Sequence, residues 1–388
     1  MISKYLFVII LVLLVAHNLS ALSMSSITSS SGRVAVVTGG SRGIGRGIAL
    51  ELGTAGYTVY VLGRSSRSAS SSPPSDQRPV AKGSDLTVES AADEITKRGG
   101  KGYAMVCDLS KDGVVEEAIE RIWKEQERLD LLVCSAYTTP ASTSLRGEFW
   151  NQGMDMWDAV NGVGLRQVYA ACRAGAPYMI QTAEKFTSSN IKSDDDVKAP
   201  PASAPPPLIC LVSSFGGKSY TFNVAYGVGK AGIDRLSVDM SYQLSKYGVA
   251  TTTLYPGLVR TEANIQMVKD GTWDEASGNL DLEQGETPEF SGKAVVQLAS
   301  LNKETMMARS GNVEVVAELA DEFGFTDVDG KRPPSIRSLK YLLPNFVFPQ
   351  VEKEAGKPVP DWIRNNVPDI LLPWSVFSSG PPPDMDTR

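Results

Sequence analysis

Residues 34–45 read Val-Ala-Val-Val-Thr-Gly-Gly-Ser-Arg-Gly-Ile-Gly in this chain of 388 residues. An apolar run, Val34 to Val37, comes before the glycines, and a helical pattern, Ile44 to Leu52, comes after them. Glycine lets the backbone turn sharply and approach a phosphate without a Cβ clash, and the amides that open a helix present partial positive charge to an anion. The segment therefore predicts a strand, a glycine turn and a helix that together cradle the phosphates of a dinucleotide.

Three further motifs follow along the chain: Ser213-Ser214, Tyr-Gly-Val-Gly-Lys at 226–230, and Pro256-Gly257. A free phenol, with a pKa of about 10, is a poor acid or base at neutral pH, so a catalytic tyrosine needs a neighbouring cation that stabilises its phenolate. Lys230 lies four residues after Tyr226 and therefore on the same face of a helix. An ordinary solvent-facing pair is the alternative, and the serine and glycine motifs that precede the pair argue against it.

These motifs resemble the short-chain dehydrogenase/reductase superfamily, which is marked by Thr-Gly-x-x-x-Gly-x-Gly, a serine, Tyr-x-x-x-Lys and a later Pro-Gly. The resemblance implies hydride transfer between a nicotinamide ring and a carbonyl or alcohol carbon, with Tyr226 supplying or accepting the proton. It also implies that Lys230 donates to the nicotinamide ribose. Ser214 is expected to polarise the carbonyl, and it is preferred over Ser213 because it is the second serine of Ser-Ser-x-x-Gly.

The choice of cofactor is predicted from charge. NAD preference usually comes from an acidic residue after the second strand, which bonds the ribose 2′-hydroxyl. This chain has Gly63-Arg64 there, and Arg42 supplies a second guanidinium suited to a 2′-phosphate. NADP(H) is therefore predicted, with NAD(H) left open. By resemblance, Asp108 contacts adenine and Thr261 the nicotinamide amide. The residues predicted to bind the cofactor are Gly39, Ser41, Arg42, Gly43, Ile44, Gly45, Arg64, Asp108, Tyr226, Lys230, Pro256, Gly257 and Thr261.

Two positions depart from the pattern of the superfamily. Many members carry Asn-Asn-Ala-Gly after the fourth strand, where this chain has Cys-Ser-Ala-Tyr at 134–137. The catalytic asparagine of the superfamily would fall at Gly164, counted from Trp157. Asn161, one helical turn earlier, is a candidate to replace it in holding a proton-relay water. Reduced or unusual activity is therefore an expectation to test.

Composition excludes several classes of function. The formal net charge is −6 and no cluster of Lys and Arg occurs, so a nucleic-acid surface is not expected. The one histidine, His17, lies in the N-terminal apolar region, so neither a Ser-His-Asp triad nor a His-ligated metal centre is predicted in the folded body. Four widely separated cysteines are expected to be buried apolar residues rather than disulfides or metal ligands. They are Cys107, Cys134, Cys172 and Cys210.

Short β-branched runs alternate with helical patterns, which predicts an α/β fold with a doubly wound, Rossmann-type parallel sheet in a single domain. The similarity to the superfamily sets this domain at 33–331. Two Ser- and Pro-rich inserts, 65–84 and 188–207, are predicted to be flexible surface loops, with partner docking a less favoured interpretation. The strands are predicted at Val34 to Val37, Val59 to Leu62, Tyr103 to Cys107, Leu131 to Cys134, Leu208 to Val212 and Ala250 to Leu254, with a seventh at Val313 to Val316.

The two ends of the chain carry further expectations. Residues 1–23 contain Lys4, a run of twelve apolar residues from Tyr5 to Ala16, and small residues at Ala21-Leu22-Ser23. This pattern predicts a cleaved signal peptide or an uncleaved membrane anchor, with a buried N-terminal helix as the less favoured alternative. The first two imply the endoplasmic reticulum or the secretory pathway.

After Thr261 come an acidic stretch at 269–289, in a region that closes over the substrate in the superfamily, and a predicted helix at 292–301. The C-terminal extension, 332–388, has apolar clusters cut by prolines that could pack on the core, cover a subunit interface or lie on a membrane.

The sequence thus favours an NADPH-dependent oxidoreductase that reduces a lipophilic ketone, aldehyde or steroid-like substrate, with membrane association possible through the N-terminus. A cofactor-sensing protein or scaffold with little catalysis is the alternative, because of the two departures. A third, lesser interpretation is NAD-linked oxidation of an alcohol. A homo-oligomer is suggested by analogy with the superfamily.

Overall fold

The computed structural model describes residues 32–68, 85–140, 147–189, 204–278 and 280–377. The predicted leader, residues 1–23, lies outside the described residues, as do 69–84 and 190–203 of the two inserts. No helix in the described ranges combines the length and apolar character needed to cross a membrane.

Within these ranges, seven strands form one parallel sheet in the order β3-β2-β1-β4-β5-β6-β7. The prediction of a doubly wound sheet is confirmed, and each predicted strand is present. The chain order reverses between β1 and β4, which is where ligands bind in such sheets. The strands are β1 Val34–Thr38, β2 Thr58–Gly63, β3 Lys101–Val106, β4 Leu131–Cys134, β5 Leu208–Val212, β6 Ala250–Tyr255 and β7 Val313–Val315.

Helices cover both faces of the sheet. Those of the domain are α1 Gly43–Thr54, α2 Val88–Lys97, α3 Val114–Gln126, α4 Met154–Asn161, α5 Gln167–Ser189, α6 Val224–Leu244, α7 Glu262–Lys269, α8 Trp273–Ser277, α9 Pro288–Ser300, α10 Lys303–Ala308 and α11 Val316–Phe323. The C-terminal extension adds α12 Leu339–Leu342, α13 Phe348–Ala355 and α14 Asp361–Arg364. A π-helical turn, Gly162–Arg166, joins α4 to α5, and short 3-10 turns lie at Phe215–Gly217 and Trp374–Val376.

The core consists of two apolar layers, one on each face of the sheet. Ala35 and Val37 of β1 face α1, α2, α9 and α11, whereas Val34 and Val36 face α3, α5 and α6. This alternation follows from the two-residue period of a strand. All four cysteines are buried and free, as predicted. The layers hold the sheet rigidly, so residues at the carboxyl ends of its strands are well placed to form a site.

The structure adds detail at the edges of the predicted segments. At the second insert, predicted at 188–207, α5 continues to Ser189, and Pro206 and Pro207 are buried where the chain enters β5. The described start of the first insert, residues 65–68, contacts the segment around α2, because Arg67 forms ion pairs with Asp85 and Asp93. The helix predicted at 292–301 starts one turn earlier, at Pro288, since proline is well tolerated in the first turn of a helix.

Candidate active site

The glycine turn lies at the carboxyl end of β1 and is fastened to its neighbours. The amides of Gly39 and Gly40 donate to the carbonyl oxygen of Leu62 at the end of β2, at 2.8 and 3.2 Å. Gly39 has a φ of +69°, and a Cβ there would lie 2.7 Å from Cα of Ala136. A Cβ on Gly45 would overlap the carbonyl oxygen of Gly39. The backbone alone can therefore make this turn, as a phosphate cradle requires.

The predicted serine, tyrosine and lysine come together beyond the end of β5. The Tyr226 hydroxyl donates to Oγ of Ser214 at 2.7 Å. Nζ of Lys230 lies 5.8 Å from the centroid of the Tyr226 ring and donates to the carbonyl oxygen of Val212 at 3.2 Å. Gly216 has to be glycine, because a Cβ there would come within 2.5 Å of Cε1 of Tyr226. The chain thus holds a phenol, a hydroxyl and an ammonium in one cluster.

The two serines have different surroundings. Ser213 is 3% exposed, and its hydroxyl donates to the carbonyl oxygen of Lys230 at 3.3 Å. Ser214 is less buried, and its Oγ also accepts from the amide of Gly216 at 3.1 Å. Ser213 is therefore part of the packing beneath α6, whereas Ser214 faces Tyr226. This geometry favours Ser214 as the residue that contacts a carbonyl oxygen.

A buried acid lies one helical turn beyond Lys230. The Tyr255 hydroxyl, at the end of β6, donates to Oδ2 of Asp234. Lys218 Nζ is 3.8 Å from the same carboxylate. Burial raises the pKa of Asp234 and also that of the Tyr255 hydroxyl. This contact ties α6, which carries Tyr226 and Lys230, to the strand that leads into Pro256-Gly257.

The place predicted for the superfamily's asparagine is filled by an aromatic ring. Gly164 lies in the π-helical turn, and a Cβ there would sit 3.2 Å from Cδ2 of Tyr137. The Tyr137 ring meets the Tyr226 ring edge-on at 5.9 Å, and Nζ of Lys230 lies 5.3 Å from its centroid. Asn161 is 6% exposed and donates to the carbonyl oxygen of Ala225 at 3.2 Å. Asn161 therefore joins α4 to the first turn of α6, and its role with a relay water stays a prediction.

A threonine hydroxyl braces the segment after β4, where the superfamily's asparagine amides are missing. Oγ1 of Thr38 accepts from the amides of Ser135 and Ala136, at 3.2 and 3.4 Å. Cys134 points into the core and is 2% exposed. The hydrogen bonds from β1 to the β4 loop are thus supplied by Thr38.

The two arginines predicted to read a 2′-phosphate lie together at the end of β2. Nη2 of Arg42 donates to Oγ of Ser65 at 2.9 Å. Burial lowers the pKa of the Arg42 guanidinium, an effect that Glu262 opposes and the nearby positive charge of Arg64 enhances. Asp108 instead closes its own turn, since its Oδ1 accepts from the amide and the hydroxyl of Ser110, at 3.1 and 2.8 Å.

The N-terminus of α1 is engaged by a carboxylate. The amide of Gly43 donates to Oε2 of Glu262 at 2.8 Å. Glu262 opens α7 directly after Thr261, whose Oγ1 accepts from the amide of Asn264 at 3.2 Å. The N-terminus of a helix favours an anion, and in this structure the carboxylate of Glu262 is the anion at that position.

Pro256-Gly257 is held by a second buried acid. Glu286 is 1% exposed, and its Oε2 accepts from the amide of Gly257 at 3.1 Å. Its Oε1 accepts from the Ser291 hydroxyl at 3.2 Å. Burial raises the pKa of this carboxyl to about 8. At neutral pH, Glu286 is therefore mainly the neutral acid in the folded chain.

Glu286→Gln is expected to flatten the pH dependence of stability. The folded pKa of about 8 lies above the ordinary value of 4.5, so the folded chain binds the extra proton between these values. The stabilisation is complete below the unfolded pKa and is lost as pH rises through the folded one, at roughly 1.4 kcal/mol per pH unit. In Gln, the side-chain oxygen can accept from the Gly257 amide and the NH2 group can donate to the Ser291 hydroxyl oxygen, so both contacts are retained by a group that does not titrate.

Urea unfolding of the wild type and the variant from pH 5 to pH 8 measures this difference. The wild type should lose stability relative to Glu286→Gln as the pH rises. Glu283→Gln, at an exposed position nearby, serves as the control. Parallel profiles for the wild type and Glu286→Gln would show that the carboxyl does not titrate as stated.

Several residues of the site were missed from the sequence: Asn223, Glu262, Glu286, Tyr255 and Asp234. A signal existed for Asn223, which stands three residues before Tyr226. Its Oδ1 accepts from the Tyr226 amide at 2.8 Å and caps α6, and asparagine is a common helix N-cap. The cap places Tyr226 in the first turn of the helix.

Known proteins share both the sequence and the fold. Dehydrogenase/reductase SDR family member 1 of Mus musculus is 36% identical over 319 residues, covering 80% of this chain and 88% of that protein. The chain belongs to the short-chain dehydrogenase/reductase family. The protein of the same name in Homo sapiens is 35% identical over 323 residues, covering 81% of this chain and 88% of that protein. A family model described as enoyl-(acyl carrier protein) reductase matches residues 39–202. The chain is thus a short-chain dehydrogenase/reductase and an oxidoreductase.

Solved structures show the same fold at low identity. Carveol dehydrogenase from Mycobacterium avium, in complex with NAD, has a TM-score of 0.57 and 18% identity, covering 74% of this chain and 97% of that chain. The RhlG/NADP active-site complex of Pseudomonas aeruginosa has a TM-score of 0.56 and 22% identity, covering 75% and 97%. The likeness confirms a short-chain dehydrogenase/reductase fold, to which this chain adds its C-terminal helices.

Proposed function

We propose that the protein is an NADPH-dependent reductase that converts a carbonyl group to an alcohol, with Tyr226 as the proton donor. The observation that carries the proposal is the 2.7 Å hydrogen bond from the Tyr226 hydroxyl to Ser214. Tyr226 lies on α6, the helix that also carries Lys230. Solved structures of the same fold with bound NADP or NAD support a nicotinamide cofactor. Such a cofactor supplies the hydride.

The chain's own residues supply the proton and the charge stabilisation. Ser214 and Tyr226 converge where both hydroxyls can donate to one carbonyl oxygen, which disperses the negative charge that develops there. Tyr226 then gives up its proton, and the ammonium of Lys230 stabilises the phenolate left behind. The glycine turn at 39–45 would hold the diphosphate, since its backbone approaches without Cβ atoms. The residues present therefore fit the dinucleotide.

A combined binding and turnover assay tests the proposal. Fluorescence of bound NADPH is compared with that of NADH, and consumption is then followed after addition of quinones, diketones, retinoids and steroids. Preferential NADPH binding with consumption of one carbonyl supports the proposal. Binding without any consumption favours the cofactor-sensing alternative, and binding of neither cofactor would count against the glycine cradle itself.

Arg64→Asp is expected to weaken NADPH binding by about ten- to a hundredfold, because it removes a charged hydrogen bond to the 2′-phosphate and adds a repulsive charge. NADH binding should change much less. Titration of cofactor fluorescence measures both. Lys97→Asp, the same charge change at an exposed position on α2, should leave both affinities alone. An equal loss of affinity for NADPH and NADH would contradict the assignment of Arg64 to the 2′-phosphate.

Glu262→Ala is expected to tighten NADPH binding by about three- to tenfold, because a carboxylate that occupies the Gly43 amide has to leave before a phosphate can bind. The same titration measures the change. Glu275→Ala removes an exposed acid from α8 and controls for net charge. Unchanged or weaker binding in Glu262→Ala would show that the contact does not compete with the cofactor.

A further inference from the structure

The end of the described chain lies against the turn that follows Ser214. The ring of Phe215, the next residue, has its centroid 4.9 Å from Phe377 and 6.4 Å from Trp374. Trp374 also meets the ring of Tyr255 edge-on at 5.6 Å. We call these four side chains the aromatic brace. Through it, the C-terminal extension contacts both segments that carry the site, the one after β5 and the one before Pro256-Gly257.

Polar contacts fix Trp374 in place. The guanidinium of Arg337 lies 4.7 Å from the centroid of the indole, a cation–π distance. Nη1 of Arg337 donates to the carbonyl oxygen of Leu372 at 3.0 Å, and its Nε donates to Glu318 at 2.8 Å. Because Glu318 belongs to α11, the tail is anchored to the domain rather than loosely laid on it.

The 3-10 turn Phe215–Gly217 is closely packed on the side that faces Tyr226. Gly216 already touches the Tyr226 ring so closely that a Cβ would not fit. The amide of Gly217 donates to the carbonyl oxygen of Ser214 at 3.0 Å, which closes the 3-10 turn. Phe215 is therefore the residue of this turn that contacts the C-terminal extension. Because Phe215 directly follows Ser214, a displacement of Phe215 would shift the Ser214 hydroxyl relative to that of Tyr226.

We propose that Trp374 is a positioning residue of the active site, which acts through Phe215 to hold Ser214 at hydrogen-bonding distance from Tyr226. The expected effect of Trp374 on the reaction rate rests on the proposed function. Its expected effect on the position of Ser214 rests only on the contacts of the aromatic brace. The loss of Trp374 alters the alignment of the two hydroxyls while the glycine turn that binds the cofactor stays intact.

Two measurements on the full chain test this. In Trp374→Ala, hydrogen exchange of the peptide that covers 213–222 should become faster than in the wild type. Carbonyl reduction should lose about tenfold in kcat, since small misplacements of catalytic groups are costly, with little change in the KM for NADPH. Trp374→Phe, which keeps a ring in the brace, should recover most of the rate. Trp362→Ala is the control, because Trp362 lies on the same tail and is 72% exposed.

The outcomes separate the inference from the proposed function. Unchanged exchange in Trp374→Ala overturns the inference whether or not the wild type reduces a carbonyl. Faster exchange with an unchanged kcat also overturns it, and so does a rate that Trp374→Phe fails to restore. Absence of turnover in the wild type defeats the proposed function, while exchange still decides the role of the brace. If Trp374→Ala does not fold, Phe377→Ala provides the same comparison from the other ring on Phe215.

Discussion

Replacing Tyr226 with phenylalanine is expected to lower kcat for carbonyl reduction by about 10²- to 10⁴-fold, the usual contribution of a general acid. The variant loses the hydroxyl that donates to Ser214 at 2.7 Å and keeps the ring contacts with Tyr137 and Phe222. NADPH binding should therefore be retained. Steady-state kinetics on any accepted carbonyl, together with cofactor fluorescence, measure both quantities.

Tyr242→Phe is the matched control for this experiment. Tyr242 is 81% exposed and lies on α6, the helix that carries Tyr226, so losing its hydroxyl should leave kcat near that of the wild type. A Tyr226→Phe enzyme that turns over as fast as this control would exclude Tyr226 as the proton donor. That result would not contradict the fold or the assignment of the glycine turn to cofactor binding.

Gly47→Ala is expected to destabilise the protein by about 3 kcal/mol or to prevent its folding, because overpacking of a close contact is costly. A Cβ on Gly47 would overlap the backbone carbonyl of Pro288, at the start of α9. Across the same contact, a Cβ on Gly292 would lie 2.6 Å from the carbonyl oxygen of Gly47. The two helices touch through backbone, so neither can yield by turning a side chain. Urea unfolding measures the loss.

Gly162→Ala controls for the general effect of alanine in a helix. Gly162 has helical backbone angles, and apart from its chain neighbours and the backbone of its own helix no atom lies within 4 Å of the place where its Cβ would be. Alanine there should be neutral or stabilising by up to about 1 kcal/mol, as helix propensity dictates. If Gly47→Ala were as stable as Gly162→Ala, the close approach of α1 and α9 would be wrong.

Most of the fold was predictable because its signals are local. The central strands are buried on both faces, so each appears in the sequence as an unbroken apolar run, such as Leu208 to Val212. Tyr226 and Lys230 were equally visible, since a helix sets their spacing. The π-helical turn at 162–166 was not predicted, because no residue type marks such an insertion.

The remaining parts of the site depend on contacts between distant segments. Gly43 and Glu262 are 219 positions apart, and no local pattern relates them. Glu286 stands in an acidic stretch whose pattern does not distinguish it from its neighbours, and only its packing against Gly257 and Ser291 shows that it is buried. For Trp374 the sequence left three surroundings open, and the structure places it against Phe215 and Tyr255.

The ring of Tyr137 against Gly164 has a consequence for the evolutionary history of the site. A side chain at position 164 and the ring of Tyr137 would compete for the same space, because even a Cβ at 164 would lie 3.2 Å from the ring. Introducing the superfamily's asparagine by one substitution would therefore require the Tyr137 ring to move. Removing Tyr137 first would open a void beside Lys230 and Tyr226. Because the two side chains are in contact, we expect the effects of substitutions at 137 and 164 to be non-additive, so that a paired change is tolerated better than either change alone.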